Sequence, residues 1–71
     1  MAEIFLLRLA NRIRKLRKTY SYTQEQLSEL SGIDYKHIQK LESKNPIDPK
    51  LSTLRKIAKA FKISVSEFLN F

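Results

Sequence analysis

Apolar residues in the first twenty positions recur at three- and four-residue intervals: Leu6, Leu9, Ile13, Leu16 and Tyr20. That spacing lines one face of a helix and predicts a first helix over about residues 3–19. Tyr20-Ser21-Tyr22 breaks the pattern. Thr23-Gln24-Glu25-Gln26 then reads as a capping box, a hydroxyl at the N-cap with glutamine three positions on. Leu27 and Leu30 supply the apolar side of a second helix, and Gly32 is expected to end it, since glycine adopts the left-handed conformation without steric penalty. Asp34 is placed to cap a third helix carrying Ile38 and Leu41. Residues 43–50 hold both prolines, Pro46 and Pro49, and read as a loop. Ser52 is expected to cap a fourth helix with Leu54, Ile57, Ala58 and Phe61 on one face. Ser64 and Glu67 form a second capping-box pattern before a short fifth helix bearing Val65, Phe68 and Leu69. There is no strand-like alternation, repeat or low-complexity stretch. The expectation is an all-α protein, one domain over residues 1–71.

Composition narrows the function. A domain of 71 residues buries only about 60% of the surface its unfolded chain exposes, so a monomer is marginal. There is no cysteine and one histidine, which removes disulfides, cysteine-ligated zinc and multi-histidine metal sites. A single glycine excludes a glycine-rich phosphate loop. Without a cysteine nucleophile or an acid pair near His37, catalysis is not expected, nor is a metal, cofactor or small-molecule ligand; His37 reads as a surface or flanking residue. Fourteen Lys and Arg against seven Asp and Glu give +7, which favours nucleic acid or an anionic membrane face as partner. Arg8, Arg12, Arg14, Lys15, Arg17 and Lys18 form a run with no acid between Glu3 and Glu25, either a solvated helix face or a row of phosphate contacts. No stretch approaches the ~18 apolar residues of a spanning helix. The short run Ile4–Leu7 precedes the basic cluster, the reverse of a signal peptide. The expected location is cytoplasmic, with no membrane partner.

The second helix, the turn at Gly32 and the third helix make a helix-turn-helix over about residues 23–43. The turn is expected to need a residue without a Cβ so that the helices pack steeply, with small Ser28 leaving room for the third helix. If Ile38 and Leu41 pin that helix to the core, its opposite face carries Lys36, Gln39, Lys40 and Ser43, with Tyr35 beside it. Such side chains donate hydrogen bonds to base edges in a major groove. Asp34 reads as a cap rather than a base contact, and Tyr20 and Tyr22 as core and turn packing rather than stacking platforms. Free N–H groups at the start of the second helix favour an anion beside Gln24.

Ile13-Arg14-Lys15-Leu16-Arg17 and Tyr22-Thr23-Gln24-Glu25-Gln26-Leu27 look like the first two helices of the Cro/repressor-type helix-turn-helix regulators, also called the xenobiotic-response-element-like family. Gly32-Ile33, Ile38 and Leu41-Glu42 look like that family's turn and recognition helix. Leu54 to Phe61 and Ile63 to Leu69 resemble its fourth and fifth helices, so the likeness covers about residues 9–70. The resemblance implies a five-helix lambda-repressor-like fold and a sequence-specific, double-stranded-DNA-binding transcriptional regulator of repressor type. It puts Tyr35, Lys36 and Lys40 at base-facing positions, where the exposed face adds Gln39. It makes Gln24 a phosphate clamp that also braces the recognition helix; Thr23, Ser43 and Lys44 complete the expected phosphate contacts. It pairs Arg17 with Glu42 between the first and third helices, and both sit at the margins of their core faces. Two departures stand out. Lys44 occupies a position where the family usually has glycine, so Asn45, which tolerates positive φ, is expected to take the turn. Ser28 replaces the usual alanine.

Val65, Phe68, Leu69 and Phe71 supply more apolar surface than a short helix needs for its own core, which marks an expected homodimer interface. A two-fold dimer reads two half-sites of a palindromic operator about one helical turn apart. Ile4 and Leu7, off the core face of the first helix, are candidates to join it. Two other readings compete. One is an antitoxin-type module that holds a toxin and binds its own promoter, for which the chain has no spare length beyond the fold. The other is a membrane-surface protein built on Ile4-Phe5-Leu6-Leu7 and the basic run, against which the capped later helices argue.

Overall fold

The computed structural model describes residues 3–71. Five helices run in order: α1 Ile4–Tyr20, α2 Gln24–Ser31, α3 Tyr35–Leu41, α4 Leu51–Ala60 and α5 Val65–Phe68, with no strand among the described residues. The core is apolar and contiguous. Leu9, Ile13 and Leu16 of α1, Leu27 of α2, Ile38 and Leu41 of α3, Ile57 and Ala58 of α4, then Phe61 and Phe68 make it up. Leu27 and Ser31 form the buried face of α2, four residues apart. Leu30, expected on that face, is 56% exposed because its position rotates it off the Leu27–Ser31 line.

The helix ends follow the local chemistry. Thr23 Oγ1 accepts from the Gln26 N–H at 3.0 Å, while the Thr23 N–H donates back to Gln26 Oε1 at 2.8 Å, closing the expected box. Asp34 caps α3 by accepting from the Lys36 N–H at 3.2 Å. At Gly32 the physical reason differs from the expected one. A Cβ there would meet nothing within 4 Å, so space does not demand glycine; the left-handed φ of 74° does. Two serines complete that turn: the Ser28 hydroxyl donates to the Ile33 carbonyl, and the Ile33 N–H donates to Ser31 Oγ at 3.2 Å.

Three further expectations are corrected. Ser52 is not the α4 cap. The helix begins at Leu51 on an uncapped Lys50, whose carbonyl accepts from the Leu54 N–H at 3.1 Å and so adds a bonded turn. Ser64 accepts from the Glu67 N–H at 3.0 Å, but no return bond from the Glu67 side chain completes a box. Asn45 does not take positive φ; outside Gly32, only Ser21 and Lys62 do among the described residues. These two close α1 and α4 in the same way. The Ser21 and Tyr22 N–H groups reach the Lys18 and Arg17 carbonyls, and the Lys62 and Ile63 N–H groups reach those of Lys59 and Ala58.

The long α1 ties the other helices together through their C-terminal carbonyls. Arg12 donates to the Phe68 and Glu67 carbonyls, each at 3.0 Å, at the end of α5. Arg14 donates to the Glu42 carbonyl at the end of α3. The Tyr20 hydroxyl donates to the Phe61 carbonyl at 2.7 Å, at the end of α4, and its ring packs with Tyr22 and Phe61 at centroid distances of 5.5 and 5.3 Å. Last-turn carbonyls lack a partner further along their own helix, and four carbonyls at the ends of three helices are satisfied from this one neighbouring element.

Candidate nucleic-acid interface

Ile38 and Leu41 are 0% and 1% exposed and fix the rotation of α3 about its axis. The opposite side then presents Tyr35, Lys36, Gln39 and Lys40 to solvent. The side chains of these four make no hydrogen bond or ion pair among the described residues, so their donors are free. His37 lies half-buried at the edge of this face.

The face is held by a carboxylate at its C-terminal end. Glu42 Oε2 accepts from Arg17 Nε at 2.8 Å and Glu42 Oε1 from Arg17 Nη2 at 2.7 Å, a two-pronged pair with side chains 2% and 17% exposed. Arg17 also donates to the Tyr22 carbonyl at 3.1 Å, so one guanidinium spans α1, the segment entering α2, and α3. Half-buried Gln24 approaches the same carboxylate, its Nε2 lying 3.4 Å from Glu42 Oε1. The expected brace between α2 and α3 therefore exists as a long, weak contact.

At the start of α2, the capping box engages the Thr23 and Gln26 N–H groups, and the Leu27 N–H goes to the Thr23 carbonyl. The N–H groups of Gln24 and Glu25 remain open among the described residues. Thr23 Oγ1 accepts within the box, so its own proton is free to donate outward. Ser43 differs. Its hydroxyl proton is spent on the Lys40 carbonyl at 2.8 Å, so it has no donor ready for a phosphate. Lys44 is exposed beside it.

The basic run of α1 divides. Arg12, Arg14 and Arg17 point inward to carbonyls and to Glu42, which removes the reading of the run as mainly phosphate contacts; Arg8, Lys15 and Lys18 stay exposed. Arg14 is the residue sequence reasoning missed. The signal was present: it precedes Arg17 by three positions, so it shares a helix face with it and must meet the same neighbour.

The expected dimer residues need correction. Phe68 is 0% exposed and belongs to the core. α5 has only four residues, so Phe68 closes the domain, and Val65 and Leu69 pack half-buried against the same core. Of the four, Phe71 alone is well exposed, at 40%. One exposed apolar patch lies where Phe71 meets the first turn of α1. The Phe71 ring sits 5.5 Å from that of Phe5, and Ile4 and Leu7 of the same turn are also exposed.

No group of three or more His, Cys, Asp or Glu residues among those described is placed to hold a metal. No described helix is long and apolar enough to cross a membrane.

Comparison with known proteins agrees with this arrangement. The chain is 32% identical over 59 residues to the HTH-type transcriptional regulator PuuR of Escherichia coli (strain K12), and equally to the protein of that name from Shigella flexneri. The aligned stretch is 83% of this chain but 31% of each relative, so the chain spans about a third of their length. The helix-turn-helix family profile matches residues 13–68, from the middle of α1 to the end of α5, and by that match the protein belongs to the helix-turn-helix family.

Proposed function

We propose that this chain binds double-stranded DNA, reads its sequence with α3 in the major groove, and acts in transcription regulation. One observation carries the reading. Tyr35, Lys36, Gln39 and Lys40 form a solvent-facing set with free donors on a helix whose other face is locked in the core. A major groove admits one α-helix, and lysine pairs with guanine O6 and N7 while glutamine pairs with adenine N6 and N7. The open N–H groups of Gln24 and Glu25, the Thr23 hydroxyl and Lys44 are the phosphate contacts that set the register of α3. Net charge of +7 supplies the sequence-independent attraction, and the regulators named above favour the same role.

The reading extends to a homodimer on a palindromic operator. Its contact is built from Ile4, Phe5 and Phe71 rather than from Phe68, because Phe68 is buried while these three are exposed and the Phe5 and Phe71 rings lie together. The test is selection of bound sequences from a random duplex pool, followed by anisotropy on the winner and on a scrambled duplex. The expected result is a palindromic winner bound at least ~10³-fold more tightly, the lower range for specific over non-specific binding. Equal affinity for both duplexes would overturn base reading.

A further inference from the structure

A groove between α4 and α5 lies outside the proposed DNA-reading surface. Its floor is apolar, with Ala58 buried and Ile63 and Val65 half-buried. Its walls carry Arg55, Lys56, Lys59 and Lys62, all exposed. No Asp or Glu lines it, and none of the four cations is in an ion pair among the described residues. The space amounts to about 940 Å³ on a chain of 71 residues. Lys59 and Lys62 also suit the negative end of the α4 dipole, but Arg55 and Lys56 lie further back, where that effect has faded. Lys62 holds the left-handed position with φ of 59°, where glycine is the usual occupant, so a cation stands where the backbone alone favours none.

We propose that this groove docks an acid-rich amphipathic helix of another protein. Its apolar residues would lie on Ala58, Ile63 and Val65, and its carboxylates between the flanking cations. Charge complementarity selects a polyanion, and the floor then decides which one. A nucleic-acid backbone matches the cations but has no apolar groups for the floor, whereas an amphipathic acidic helix matches both. A second copy of this chain brings a further +7 rather than an excess of acid, and the self-contact proposed above uses the Phe5–Phe71 patch instead. No residue of α2, α3 or the 43–50 loop lines the groove, so a partner there leaves the α3 face open to DNA.

The test uses a fluorescein-labelled peptide of about 15 residues, long enough for a marginal helix, with leucines along one face flanked by glutamates. A scrambled peptide of the same composition is the control. The amphipathic peptide is expected to bind at least about tenfold more tightly than the scrambled one. Its affinity should fall about tenfold in the Lys56→Glu/Lys59→Glu variant, each reversed rim charge costing several-fold. It should hold in the Lys15→Glu/Lys18→Glu variant, which changes net charge equally. Lys62→Gly should weaken the peptide while raising the melting temperature. Equal binding of the two peptides, or equal losses in the two charge variants, overturns the proposal. A loss of random-duplex affinity greater in the groove variant than in the α1 variant assigns the groove to phosphates and also overturns it. So does a change in sedimentation mass confined to the groove variant. Duplex affinity is read in parallel, so failure of the peptide and failure of DNA binding are distinguished.

Discussion

Glu42 is the residue on which the presentation of α3 depends. Both of its oxygens accept from Arg17, its backbone carbonyl accepts from Arg14, and Gln24 leans on the same carboxylate. With the acid side chain 2% exposed, Glu42→Ala strands the Arg17 guanidinium and is expected to cost ~3–5 kcal/mol. A domain this small shifts its melting temperature by ~4–8 °C per kcal/mol, so thermal circular dichroism should find the variant largely unfolded at wild-type working temperatures. A melt within ~2 °C of wild type, far below that shift, would mean the pair holds nothing. Gln24 acts differently. Its contact with Glu42 is long, and its position beside two open N–H groups at the start of α2 suits a phosphate. Gln24→Ala should therefore weaken selected and random duplexes by the same factor; a loss confined to one base-pair pattern would make it a base reader.

At the scale of elements, the helices are set by their ends. Ser21 closes α1 in a left-handed conformation that costs a serine ~1–2 kcal/mol relative to glycine. Ser21→Gly is expected to raise the melting temperature by several degrees, at ~4–8 °C per kcal/mol, after the flexibility glycine adds to the unfolded chain takes back part of the gain. An unchanged or lower melt would show that the strain is not there. The periodic residues made α1 to α4 legible, and Thr23, Gly32 and Asp34 marked their boundaries because each acts within its own turn. Ser52 misled because a serine near a helix start has the same appearance whether it caps or lies two positions past the cap, as Ser52 does past Lys50. Phe68 misled because spacing shows which residues share a face but not how much core that face meets. The roles of Arg12 and Tyr20 were hidden for a different reason: each bonds a carbonyl at least 41 positions away, and carbonyls leave no trace in a residue pattern. The α3 face was legible, since Ile38 and Leu41 fix by elimination which side chains point outward.

For the whole molecule, the charge of +7 works together with the places where it is not already used. Three α1 arginines are consumed internally, and the exposed cations include Arg8, Lys15 and Lys18 on α1, Lys36, Lys40 and Lys44 at and beyond α3, and the α4 cluster. The proposed homodimer needs the apolar patch at Ile4, Phe5 and Phe71. Phe5 is 48% exposed, so Phe5→Glu should leave the fold intact, shift sedimentation equilibrium toward 8.4 kDa, and weaken binding to a palindrome more than to a half-site. Unchanged mass and unchanged palindrome affinity would remove this patch from the interface. The central claim is that α3 reads bases, and the Lys36→Ala/Lys40→Ala variant tests it most directly through the ratio of its affinities for selected and random duplex. A base contact is worth ~1–3 kcal/mol of discrimination, so the ratio should collapse by ~10²-fold or more while random-duplex binding drops only modestly. Equal losses on both duplexes would make these lysines phosphate contacts and contradict the account.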